Sequence, residues 1–139
     1  IKRDIYKNIL LHFDSASQQE VVEIHESREL HGEAAANAEF VSFVDINSTR
    51  LKSFFSETKS VKGCSLRMCR DMKDLFCEVD KESLGSLESL SITNFPSLET
   101  ICWGGSFKNL KKLSIDCCPN IKTLFPEASQ MPSSLEVLH

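Results

Sequence analysis

Six cysteines and four histidines are the side chains of this chain best suited to covalent or metal chemistry. The cysteines are Cys64, Cys69, Cys77, Cys102, Cys117 and Cys118. An even count permits disulfides. The mildly apolar residues from Ile1 to Phe13 have neither a long apolar centre nor a small-residue cleavage site, so no secretory signal is expected. Reduced thiols in a cytosolic compartment are therefore expected. The Cys-x-x-Cys spacing that opens a zinc site is missing. Cys117 and Cys118 are adjacent and face opposite ways in an extended chain, which leaves Cys117 as the thiol open to reaction. A thiol hydrolase built on Cys117 is the enzymatic alternative.

His25-Glu26 begins like the zinc-binding pattern H-E-x-x-H, but Glu29 stands where the second imidazole must lie one helical turn on. His25, Glu26, Glu29 and His31 read instead as a solvated polar face. There is no G-x-S-x-G elbow and no glycine-rich loop followed by Lys-Ser or Lys-Thr. Asp71, Asp74, Glu78, Asp80 and Glu82 lie in a connecting segment and read as surface charge. No catalytic residue, metal site or cofactor is expected.

The bulk properties narrow the classes further. The chain has 139 residues, a length that suits one domain. Its net charge is −4, and its longest basic run is Lys111-Lys112, too little to replace counterions along a phosphate track. Nucleic acid is thus not an expected partner. No apolar run approaches the roughly 20 residues needed to cross a bilayer, so membrane insertion is not expected. The chain starts at Ile1 and ends at Leu135-Glu136-Val137-Leu138-His139, which reads as the opening of a new unit. A fragment of a longer protein is expected.

The organising signal is an internal repeat. Counting from Leu87 as position 1, apolar residues fall at Leu90, Ile92, Phe95, Leu98 and Ile101, which are positions 4, 6, 9, 12 and 15. From Leu110 the same positions hold Leu113, Ile115, Cys118, Ile121 and Leu124. From Val61 they hold Cys64, Leu66, Cys69, Met72 and Leu75. Pro96 and Pro119 both follow position 9. Unit starts lie 26 residues apart (61 to 87), then 23 (87 to 110), then 25 (110 to 135). An L-x-x-L-x-L core repeated at this period is the leucine-rich signature.

The expected fold class is an α/β repeat solenoid. It is a leucine-rich repeat horseshoe segment with a parallel β-sheet on the concave side and an irregular or short helical convex side. Repeats are expected over residues 41–139, with units starting near 41, 61, 87, 110 and 135, the last truncated. In the degenerate first unit Val41, Val44 and Ile46 take positions 1, 4 and 6, and Leu51 and Phe54 follow near 12 and 15. Residues 1–40 are poorly defined. Val21 and Ile24 open a further unit, and Ala34 to Phe40 form a convex-side helical turn after Gly32.

Each unit supplies a short strand around positions 3 to 7, with 4 and 6 pointing inward and 3, 5 and 7 outward. Cys64 fills a core slot, and Cys69 and Cys118, at position 9, offer their thiols to backbone groups. The outward residues Arg67, Met68, Ser89, Ser91, Thr93, Asn94, Lys112, Ser114 and Asp116 form the expected partner-binding concave face. Phe43, Asp45 and Asn47 join it from the degenerate unit. Serine recurs at position 5 and keeps the middle of the face flat. Trp103 is a second anchor candidate, with convex-side packing the plainer reading.

Leu87-Glu88-Ser89-Leu90-Ser91-Ile92 with Phe95-Pro96-Ser97-Leu98, and Leu110-Lys111-Lys112-Leu113-Ser114-Ile115 with Cys118-Pro119-Asn120-Ile121, carry a resemblance. They resemble the C-terminal repeats of plant intracellular nucleotide-binding leucine-rich repeat disease resistance proteins of the coiled-coil branch. Met131-Pro132-Ser133-Ser134-Leu135 is similar to their connection into the next repeat. The likeness covers residues 61–139 well, 41–60 fairly and the rest poorly. Extracellular plant repeats carry a G-x-I-P segment that this chain lacks, so the cytoplasmic type is implied. The resemblance implies a ligand-sensing and autoinhibitory module of an innate immune receptor. Its partner is then a pathogen effector, a guarded host protein or the receptor's own nucleotide-binding domain. The phosphate loop of that domain is absent here. The alternative is the substrate-receptor part of an F-box ubiquitin ligase, whose repeats look similar.

Overall fold

The computed structural model describes residues 21–25, 38–102, 107–124 and 135–138. Six strands form one sheet: β1 (Val21–His25), β2 (Phe40–Val44), β3 (Gly63–Arg67), β5 (Ser89–Thr93), β7 (Lys112–Asp116) and β8 (Val137–Leu138). Their spatial order is β1-β2-β3-β5-β7-β8, and every neighbouring pair is parallel. Parallel neighbours cannot be joined by a tight hairpin, so each connection must cross back over the sheet. Two of these return segments pair with each other, through β4 (Asp74–Leu75) and β6 (Thr100–Ile101). The fold is a mostly parallel sheet with few helices.

The register follows the repeat. Cys64, Leu90 and Leu113 are Cα partners in one row, and Leu66, Ile92 and Ile115 in the next inward row. Leu75 and Ile101, of the small sheet, belong to the same buried cluster as Leu66 and Ile92. The core therefore lies between the large sheet and its return segments. Each fully buried Leu, Ile or Phe in it contributes roughly 1.5–3 kcal/mol.

Upstream, the register differs from the expected one. Val41 pairs with Cys64 and Phe43 with Leu66, so Val41 occupies position 4 and Phe43 position 6. The unit opens at buried Ala38 rather than at Val41. Val22 and Ile24 of β1 pair with Val41 and Phe43 and hold the same two positions, in place of Val21 and Ile24 at 1 and 4. The displacement is three residues in β2 and two in β1. An odd slip turns every side chain to the opposite face. Phe40-Val41-Ser42-Phe43-Val44 is apolar at all but one position, so alternation alone does not select its buried face. Phe40, expected in a helical turn, starts β2 instead. Ala38 and Glu39 are described and are not helical, whereas residues 34–37 of that turn, and those from 1 to 20, lie outside the described residues.

The return after β2 is a helix, α1 (Ser48–Glu57). Asn47 caps it: its Oδ1 accepts the Arg50 N–H at 2.8 Å. Leu51, Phe54 and Phe55 are buried, at the spacing of one helical face. The helix ends where Thr58 turns extended and its N–H donates to the Phe54 carbonyl at 3.1 Å. From this helix an aromatic chain runs through the core. Phe43 meets Phe54 edge-on at 5.0 Å between centroids, Phe54 meets Phe55 at 5.3 Å, Phe55 meets Phe76 at 6.0 Å and Phe76 meets Phe107 at 5.4 Å. Such contacts add about 0.5–1.5 kcal/mol each beyond burial.

Polar side chains tie each return segment to the unit before it. Ser86 Oγ donates to the Lys59 carbonyl at 3.0 Å, Asn109 Nδ2 to Gly85 at 2.7 Å and Asn120 Nδ2 to Pro96 at 2.9 Å. They satisfy loop carbonyls that no strand partner reaches. No helix among the described residues is long and apolar enough to cross a membrane.

Candidate functional site

The outward side of the sheet consists of rows set by the pairing. One row is Ser42, Ser65, Ser91 and Ser114, and the next is Val44, Arg67, Thr93 and Asp116. The serine row is less open than expected. Ser42, Ser65 and Ser91 are at most 3% exposed, and Ser114 is half-buried. Ser91 is therefore not a free contact residue.

Two other expected members leave the face. Phe43 points inward and is fully buried, a consequence of the register slip. Asn47 lies past the strand and caps α1. The structure brings the others together. Asp45, Met68, Asn94 and Asp116 are exposed, and Arg67, Ser89, Thr93, Lys112 and Ser114 are half-buried.

The most regular exposed feature is the column just beyond the strands. Asp45, Met68, Asn94 and Cys117 occupy the same position of successive units, and all four adopt the left-handed conformation, with φ of 53°, 60°, 62° and 54°. The first three donate their N–H groups to the carbonyls of Arg67, Thr93 and Asp116 at 3.0–3.1 Å, each in the following unit. The left-handed turn aims the amide sideways into the neighbour and swings the side chain to solvent. Asn and Asp suit that conformation, whereas Met and Cys bear a steric cost there. Met68 and Asn94 were expected on this face, and the degenerate unit was expected to contribute Asp45 from within its strand. The structure puts Asp45 just past the strand, at the offset of Met68 and Asn94. At 46% exposure Met68 is the large apolar side chain most open to solvent among the described residues. At the far end of the column an open recess of about 620 Å³ is lined by Asn94, Pro96, Ile115, Asp116, Cys117, Cys118 and Pro119.

The cysteines divide by environment. Cys64 is fully buried, and loss of hydration pushes its thiol far above the ordinary range. Cys69 and Cys118 donate their thiols to the carbonyls of Arg67 and Asp116 at 3.6 and 3.3 Å, each two residues back. Cys117 is exposed, but the charge of Asp116 raises its pKa. A lowered pKa would instead favour the thiolate. Cys77 and Cys102 are joined in a disulfide. This corrects the expectation that all six thiols are reduced: β4 and β6 bring the two together from units that the sequence separates by 25 residues.

Asp71, Asp74, Glu78, Asp80 and Glu82 are all exposed. Among the described residues no group of three or more His, Cys, Asp or Glu side chains is placed to hold a metal ion. Trp103 and the cluster from Glu26 to His31 lie outside the described residues.

No family model matches the chain, and no solved structure does. Across its whole length the chain is 55% identical to a probable disease resistance protein of Arabidopsis thaliana, At5g45510. Over 86% of its length it is 43% identical to a putative disease resistance protein of the same plant, At4g19050. The chain spans about a tenth of the length of these relatives, 11% of one and 10% of the other. Two relatives that carry this name support reading the chain as part of a plant disease resistance protein.

Proposed function

We propose that the chain is a stretch of the leucine-rich repeat region of a plant intracellular immune receptor, of the nucleotide-binding, coiled-coil type. It works in the cytoplasm as a non-catalytic recognition module. The observation that carries this reading is the exposed left-handed column, Asp45, Met68, Asn94 and Cys117, repeated once per unit beside Arg67, Thr93 and Asp116. A period built into the backbone presents side chains of varied charge and size at a fixed spacing of about 4.8 Å. Such an array suits recognition of a protein surface by shape and charge. The partner is a pathogen effector, a guarded host protein or the receptor's own nucleotide-binding domain. Both relatives are named for disease resistance, which does not favour the F-box ligase alternative.

The test is made in the parent receptor. Met68→Glu and Asp116→Lys reverse the character of two exposed positions without touching the core. Expressed in leaf tissue, either variant should change the cell-death response, through lost elicitation or through constitutive signalling. Unaltered responses at equal protein levels in both variants would remove this face from recognition.

A further inference from the structure

Cys77 and Cys102 stand apart from the four free cysteines by position, on the return segments, and from the two core thiols by access. Cys77 is exposed and Cys102 half-buried, whereas Cys64 and Cys69 are enclosed in the core. Their Cα atoms are 4.9 Å apart, inside the window a disulfide spans without backbone movement. That separation is set by the backbone. Asp74 pairs with Thr100 and Leu75 with Ile101, and the Glu99, Thr100 and Cys102 amides donate to Lys73, Lys73 and Leu75 at 2.9, 3.2 and 3.0 Å. The buried side chains of Leu75 and Ile101 anchor the same short ladder in the core. Hydrogen bonds that do not involve sulfur therefore hold the two thiols within bonding range in the reduced state too.

We propose that Cys77 and Cys102 are a reversible thiol–disulfide site, oxidised by a low-molecular-weight disulfide such as oxidised glutathione, which staples two neighbouring units together across their return segments. The exposed Cys77 thiolate attacks the small disulfide, and an S–S bond forms as one small thiolate leaves. The Cys102 thiolate then attacks Cys77 Sγ in the mixed disulfide and releases the second thiolate. Two electrons pass from the pair to the small disulfide, and the two protons lost by the cysteines end on the departing thiols. Reduction by excess small thiol reverses both steps. The closed loop contains β5 and the exposed Asn94, so the bond constrains the unit that carries part of the outer column. Bonds of this kind in reducing compartments are usually transient or redox-sensing.

The experiment follows the thiols of the whole chain. After incubation with oxidised glutathione, maleimide should label Cys117 and leave Cys77 and Cys102 unlabelled, with a peptide linking the two recovered by mass spectrometry. Dithiothreitol should return both to the labelled set. The oxidised chain should melt about 10 °C above the reduced chain, given a closed loop of this length. Cys77→Ser, Cys102→Ser and the double variant should melt with the reduced chain and lose all response to glutathione. Should a serine variant not fold, the wild-type chain with and without dithiothreitol provides the same comparison. Free labelling of both thiols after oxidation, or equal melting of the oxidised and reduced chains, overturns the proposal.

Discussion

The β3–β5 portion of the molecule and the β7 portion share one backbone and one register, yet they are packed differently. In the first, every inward position is closed: Leu66, Ile92, Leu98 and Leu75 are all fully buried. In the second, Leu113 is buried, but Ile115, Cys118, Ile121 and Leu124 are only partly so, though they hold equivalent positions of the unit. Equal sequence pattern thus gives unequal burial. The inward face of one unit is completed by side chains of the next, because a single unit has too little apolar surface to enclose its own. The left-handed column does not share this gradient. Met68 and Cys117 have nearly the same φ and are both exposed. Local conformation is set within the unit, and burial is set between units.

The largest test of this contrast compares Ile92→Ala with Ile115→Ala. The former should cost about 2–5 kcal/mol and the latter roughly half as much, as measured by urea denaturation. Equal losses would break the distinction. Next, the helical return after β2 depends on a cap that the β7 return, with no helix in its described part, does not need. Asn47→Ala should cost about 1 kcal/mol and reduce the helical circular dichroism signal. Smaller still, Met68→Asn and Cys117→Asn should each stabilise by about 0.5–1 kcal/mol through relief of the left-handed strain. A gain at one and not at the other would show that packing reaches the column after all. The finest effect is in reactivity. Because Asp116 raises the Cys117 pKa, the thiolate forms only at higher pH. Asp116→Asn should move the pH profile of Cys117 alkylation downward and speed labelling at pH 8. An unchanged profile would place the cause elsewhere.

How much was legible varied along the chain. From Val61 onward the register could be read directly, because Leu90, Leu113, Leu66 and Ile92 are separated by polar residues and only one face is apolar. The outward assignment of Arg67 and Asp116 followed from the same alternation, whereas Met68 and Asn94, one position further on, are turned outward by their left-handed conformation. Phe43 and Asn47 were misplaced for a physical reason. In Phe40–Val44 the apolar residues fall on both faces, and the choice was made by pairing with Cys64 and Leu66 on β3. The enclosure of Ser42, Ser65 and Ser91 was equally illegible, since serine is as compatible with water as with a buried turn of sheet. The separation of Cys77 and Cys102 is close to one repeat, but nothing in the sequence showed that their segments pair. The disulfide depends on the pairing of two-residue strands, too short to leave a pattern.

By itself the sequence determined the period, the inward rows from Val61 to Leu124 and the parallel sense of the sheet. Those depend on hydrophobic spacing and on connection length, which are properties of the chain. Only the tertiary structure decided the face of β2, the partners of the cysteines and the depth to which each repeated residue is buried. These depend on which segment lies alongside, and neighbours in space contribute there what no single unit encodes.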